Sequence, residues 1–192
     1  YQTGGTAYYI PLKNKLVYVP QKISSEFTIE KISKESYSTY AIDTTGKVWT
    51  WRQSGNSATP YIKPTCISDD TTEGLYGIQM QEILCKINSN IYLKDIDGNI
   101  YRLSAQLLNP EVNKVLNVNE VVEKIFGEVT TENIINVLNC PKIINGRAWN
   151  IAINQTDWTL SAELVNANKG ELVGKTIVQN TVVMAIDSEG NL

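Results

Sequence analysis

The chain contains no histidine. That removes Ser-His-Asp and Cys-His nucleophilic catalysis from within it, and with them every His-containing zinc site. Cysteine is scarce as well. Cys66, Cys85 and Cys140 are far apart, odd in number and form no CxxC pair, so a four-cysteine metal site is excluded too. They read as buried free thiols, which leans towards a reducing compartment. A surface rich in Asn and Thr and poor in charge leans the other way, to an extracellular or cell-surface location. Charged residues are only 19% of 192, and a net charge of −3 supplies no basic face for nucleic acid. No apolar run approaches the ~20 residues of a membrane span. The first residue is Tyr, not Met, and no signal peptide precedes the folded pattern, so the chain reads as processed or excised from something longer. No cofactor is implied.

Hydrophobic residues make up 42% of the chain, a folded composition on a length ample for a core. Most of it alternates apolar and polar residues over short runs separated by turn residues, which predicts half-buried strands. "YSTYAID", "TTG" and "KVWTW" read as a hairpin. So do "NIYLKDI", "DGN" and "IYRL", and "TVVMAID" followed by "SEGN". The three share the frame D-x-x-G-[KN]-[VIL]-[WY], set by Asp43 and Gly46, Asp95 and Gly98, and Asp187 and Gly190, with the last aromatic missing where the sequence stops. Each Gly stands where a tight turn needs a positive φ.

A weaker copy at Ile151–Trp158 has Asn for Asp, no Gly, and a turn read as one residue shorter. Gly46 and Gly98 lie roughly 50 residues apart and Gly98 and Gly190 somewhat under twice that, a spacing found in propeller repeats. Four related segments, "FTIEKIS", "MQEILCK", "VVEKIFG" and "LVGKTIV", add a preceding strand to the unit. Asn109 to Leu138 is the best helical candidate, with Thr130 or Thr131 capping a short helix near 130–138. A divergent unit still made of strands is the preferred alternative there.

Strand, D-x-x-G turn, then "KVWTW", with "KPTCI" and "MQEILCK" following, resembles the regulator of chromosome condensation repeat family. "VPQKI" and "FTIEKIS" keep the same order one unit earlier. The resemblance implies an all-β, propeller-like array of about four blades, a partial ring or fragment. Its units are a partial one at 1–33, then 34–86, 87–127, a divergent one at 128–178 and a truncated one at 179–192, in a single repeat domain. Family glycines after the aromatic are missing, since Arg52 follows Trp51 and Ser104 follows Leu103. About four units are too few for the family's usual seven-bladed ring, so the termini are expected to pair and close a smaller one, or to join further repeats or a second chain. Tyr1-Gln2-Thr3-Gly4 supplies what a unit ending at Leu192 would need next. Abundant Asn, Ile and Lys suggest an AT-rich genome, and the chain reads as part of a larger bacterial protein.

The aligned carboxylates Asp43, Asp95 and Asp187 fit turn hydrogen bonding better than calcium or acid–base chemistry. "DIDGN" lacks the acidic residue an EF-hand loop needs at its twelfth position, where Gln106 stands. Trp49 and Tyr101 are expected to pack between blades, and Trp51 shares the Trp49 face. Tyr8, Tyr9, Tyr61 and Tyr76 are the candidate binding residues. The function expected is a non-enzymatic protein–protein interaction module with a protein partner. A carbohydrate-binding propeller taking a glycan is the alternative, and a hydrolase using a carboxylate pair the remote third.

Overall fold

Alternating apolar and polar residues become antiparallel strands along most of the chain, and the molecule is mostly β with a small helical part. The computed structural model describes residues 7–10, 15–18, 26–35, 38–56, 59–61, 64–69, 74–104, 110–165, 174–180 and 184–191. At 7–10, 15–18, 34–35, 52–56, 59–61 and 180 the description is of the backbone alone. The chain divides into two compact units, 1–113 and 114–192. Residues 1–4, expected to complete or pair with the last hairpin, lie outside the described residues.

In the first unit β1 (Ala7–Ile10) pairs with β2 (Lys15–Tyr18). A second sheet runs β3 (Ile29–Glu35), β4 (Ser38–Asp43), β5 (Val48–Asn56), β6 (Thr59–Tyr61), with β7 (Thr65–Cys66) also on β5. A third runs β8 (Met80–Ile87), β9 (Asn90–Asp95), β10 (Ile100–Ser104), β11 (Val112–Val115). Apart from β7, which returns to β5, sequence neighbours within each sheet are sheet neighbours. Among the described residues no sheet closes into a barrel.

The central strands β4 and β9 are covered on both faces. Tyr40, Ala41 and Ile42 are buried on one, and Ile91, Tyr92 and Leu93 on the other. One apolar cluster joins the two larger sheets, with Tyr40, Ile42 and Val48 from the first and Met80, Leu93 and Leu103 from the second. Burying such side chains, at roughly 1.5–3 kcal/mol each, is the main force holding these sheets together.

The second unit carries β12 (Ile143–Ile144), β13 (Arg147–Ile153) and β14 (Leu160–Leu164) in one sheet, and β15 (Ile177–Asn180) with β16 (Ala185–Asp187) in another. It also holds two helices, α1 (Val118–Phe126) and α2 (Thr131–Leu138). The expectation that "VVEKIFG" forms a strand, and the preference for strands over 130–138, are corrected here.

The physical reason for the helices lies in the spacing. Val118, Val121 and Val122 are buried on α1 and Ile134, Val137 and Leu138 on α2, three and four residues apart, which lines one face of a helix. Gly127 closes α1 in the left-handed conformation at φ 80°, returning its N–H to the Glu123 carbonyl at 2.8 Å. Thr130, not Thr131, caps α2 by accepting the Asn133 N–H at 3.2 Å. Lys124 reaches from α1 to the Ala162 carbonyl of β14 at 2.7 Å.

The weak copy also differs from expectation. Asn154 donates its N–H to the Thr159 carbonyl at 2.9 Å, so the turn is longer, not shorter, than the Asp43–Lys47 turn. Trp158 lies inside the turn at φ 60° instead of following it.

Candidate functional site

Three turns share one set of hydrogen bonds. The Asp N–H donates to the carbonyl four residues on: Asp43 to Lys47, Asp95 to Asn99 and Asp187 to Asn191, each at 3.0 Å. The Gly N–H returns to the Asp carbonyl, at 2.9 Å for Gly46, 3.2 Å for Gly98 and 3.0 Å for Gly190. These glycines stand at φ 81°, 83° and 85°, which a residue with a Cβ adopts only at a cost.

One carboxylate oxygen then accepts two further backbone donors. Asp43 Oδ1 takes Thr45 N–H at 2.8 Å and Lys47 N–H at 3.1 Å. Asp95 Oδ1 takes Asp97 at 3.0 Å and Asn99 at 2.8 Å. Asp187 Oδ1 takes Glu189 and Asn191, both at 2.9 Å. Both N–H groups converge on this one oxygen, and a charged carboxylate makes a stronger acceptor than a neutral carbonyl.

The second oxygen anchors a side chain. Trp49 donates its indole N–H to Asp43 Oδ2 at 2.7 Å while stacking on Phe27, with centroids 4.0 Å apart. Tyr101, at the equivalent place, is hydrogen-bonded to Asp95, whose Oδ2 also takes Asn99 Nδ2 at 2.8 Å. Asp187 Oδ2 takes Asn191 Nδ2 at 2.9 Å and lies 3.5 Å from Lys175 Nζ.

All three carboxylates are nearly inaccessible, at 5%, 3% and 1% exposure for Asp43, Asp95 and Asp187. Burial pushes the Asp43 carboxyl up. The Thr45 hydroxyl, the Trp49 indole and the Thr45 and Lys47 N–H groups outweigh it and leave the value lowered. The Asn191 side chain first, then its N–H, holds Asp187 down at about 2. Burial, followed by the neighbouring Asp95 charge, raises the Tyr101 phenol.

The turns are also pinned to the preceding strand. Thr44 N–H donates to the Thr28 carbonyl at 3.0 Å, Ile96 to Gln79 at 3.0 Å and Ser188 to Thr176 at 2.8 Å. Each strand then begins opposite the Asp, as Ile29 opposite Asp43, Met80 opposite Asp95 and Ile177 opposite Asp187. Each shifts register at the next residue. Sequence reasoning missed Thr28, Gln79 and Thr176 because the backbone does the bonding there, so the side chains carry no common signal.

The first of these turns also meets the start of β8 directly. Met80 N–H donates to the Gly46 carbonyl at 2.9 Å, and a Cβ at Gly46 would lie 3.0 Å from Gln79 Cα. Glycine is required there twice, for its φ and for this close approach.

Of the candidate binding residues, Tyr76 is 65% exposed beside the start of β8. Tyr8 and Tyr9 lie in β1 and Tyr61 ends β6, with side chains outside the described residues. Trp51 and Tyr101 are buried. Cys66, Cys85 and Cys140 are free and half-buried, and burial pushes Cys85 up to about 11, far from a reactive thiolate. Among the described residues no three His, Cys, Asp or Glu side chains are placed to hold a metal ion, and no helix is long and apolar enough to cross a membrane. No protein-family model, no curated protein and no solved structure matches this chain.

Proposed function

We propose that the chain is a non-enzymatic protein-binding module built from like units, each a strand, a second strand, a D-x-x-G turn and a third strand, arranged in the manner of propeller repeats. The single observation that carries this reading is the shared hydrogen-bond set at Asp43, Asp95 and Asp187, with the same opposed residue and register shift in the strand before each. Units of that kind stack by their edges and leave loops free for recognition. The three carboxylates that could have served catalysis are spent on turn donors, which counts against acid–base chemistry at them. Tyr76, broad, amphipathic and exposed, is the recognition residue the reading favours.

The test is paired. Wild-type chain and Tyr76→Ala are each immobilised, probed with crosslinked protein extract, and run on a glycan array. Capture of a defined protein that Tyr76→Ala loses supports the reading. Tyr76-dependent glycan binding without protein capture replaces it with a lectin. Turnover abolished by a substitution in this chain removes the non-enzymatic half of it.

A further inference from the structure

Three strand starts are equivalent by register: Ile29, Met80 and Ile177. Two are occupied. Met80 N–H is taken by the Gly46 carbonyl at 2.9 Å and Ile177 N–H by the Val165 carbonyl at 3.4 Å, and both side chains are buried to 2% exposure. Ile29 is different, being 37% exposed. Three residues along β3, Ile32 is 60% exposed, while its counterpart on β8, Ile83, packs on the core cluster. The chain therefore presents an apolar strand start, at Ile29, whose two counterparts at Met80 and Ile177 are covered.

It also presents the matching half. The Gly46 turn is seated on Gln79 and Met80, but around Gly98, as around Gly190, nothing among the described residues lies within 4 Å of where a Cβ would stand. Beside it, Ile96 is 58% exposed at the tip of the turn, where the first turn has Thr44 and the third Ser188. A single exposed aliphatic residue is common on a protein surface, but this one gives the turn an apolar face that the two equivalent turns lack. Asp97 gives this turn a negative charge, while on β3 Lys31 lies 3.8 Å from the carboxylate of its neighbour Glu30, so a joint between the two faces rests on its backbone bond and apolar contacts.

We infer that the Asp95–Asn99 turn of one chain seats on the Thr28–Ile32 edge of a second copy, repeating between molecules the joint that Gly46 makes with Met80 within one. The Gly98 carbonyl accepts the Ile29 N–H of the partner, and Ile96 closes over Ile29 and Ile32. The contact is head-to-tail, so each copy keeps one face of each kind free and association extends with concentration. This rests on reading the chain as a protein-binding module of like units, and names a second copy as a partner.

Sedimentation velocity and light scattering of the full chain over a concentration series test it, with circular dichroism melts as a check on folding. Wild type is expected to gain mass with concentration. Ile32→Asp removes the strand face. Gly98→Asn blocks the turn face while keeping the hairpin, because Asn tolerates positive φ and yet adds a Cβ at the joint. Each alone is expected to stay monomeric, with association weakened at least about tenfold. Mixed, they should form dimers and nothing larger, since one intact face of each kind remains. Should either variant fail to fold, Ile29→Lys and Ile96→Asp test the same two faces at exposed positions. A wild type that stays monomeric to its solubility limit overturns the inference, as does association that survives both kinds of variant. A monomer that still captures a foreign protein through Tyr76 sinks this joint alone and leaves the binding module standing.

Discussion

Replacing Asp95 by alanine strips one acceptor from two backbone N–H groups, from Asn99 Nδ2 and from the Tyr101 hydroxyl together. Several bonds to a charged acceptor are lost at once, and of the freed donors the Tyr101 hydroxyl belongs to a buried residue, where an unpaired donor costs more than its bond was worth. The expected loss is about 2–3 kcal/mol in a urea titration, more than an exposed Asp97→Ala would give. Equal losses from the two would mean that the buried carboxylate is not what holds the turn.

Asp187 adds a pH dependence. Its folded value, about 2, lies below the ordinary 3.8, so its contribution is complete above about pH 4 and is lost as the pH falls towards 2. The melting temperature is therefore expected to drop more steeply across that window in wild type than in Asp187→Asn, which keeps an oxygen for Glu189 and Asn191 but cannot protonate. Parallel curves would rule the carboxylate out as the cause. The D-x-x-G frame was legible in the sequence because side chains carry it. The carbonyls of Thr28, Gln79 and Thr176 were not, since any residue offers the same oxygen.

At the level of elements, two glycines with almost the same φ have different surroundings. Gly46→Ala meets both the left-handed backbone penalty, roughly 1–2 kcal/mol, and a clash 3.0 Å from Gln79 Cα and Cβ. Gly98→Ala in dilute, unassociated protein meets the backbone penalty alone. Gly46→Ala is thus expected to be the more destabilising in chemical denaturation, and equality would show that the joint yields freely. Strand pairing around these turns could be read from alternation and turn residues. The helices at Val118–Phe126 and Thr131–Leu138 were partly hidden, because "VVEKIFG" satisfies a short strand as easily as about two helical turns. Only the wider window, with Val118, Val121 and Val122 and then Ile134, Val137 and Leu138, separates the two periods. Trp158 was misplaced for a related reason. An aromatic after a turn is the common arrangement, and nothing local announces one at φ 60° inside it.

For the whole molecule, composition marked the chain as folded and alternation marked it as β-rich, but neither showed its division at residues 113 and 114, which depends on contacts distant in sequence. Each unit has its own buried centre, Leu93 at 0% exposure in the first and Val122 at 0% in the second. Leu93→Ala leaves a cavity between two sheets and should cost about 3 kcal/mol. Val122→Ala removes less side chain from the face of α1 and should cost about 2 kcal/mol. Compact units with separate cores open as separate cooperative blocks. Hydrogen exchange followed by mass spectrometry is therefore expected to show faster exchange in β3–β5 and β8–β10 for Leu93→Ala and in α1 and β14 for Val122→Ala. Leu93→Ala accelerating exchange evenly from β3 to β16 would mean that the chain unfolds as one block. The two cores would then answer to a single stability, and the repeated turns would be parts of one cooperative array.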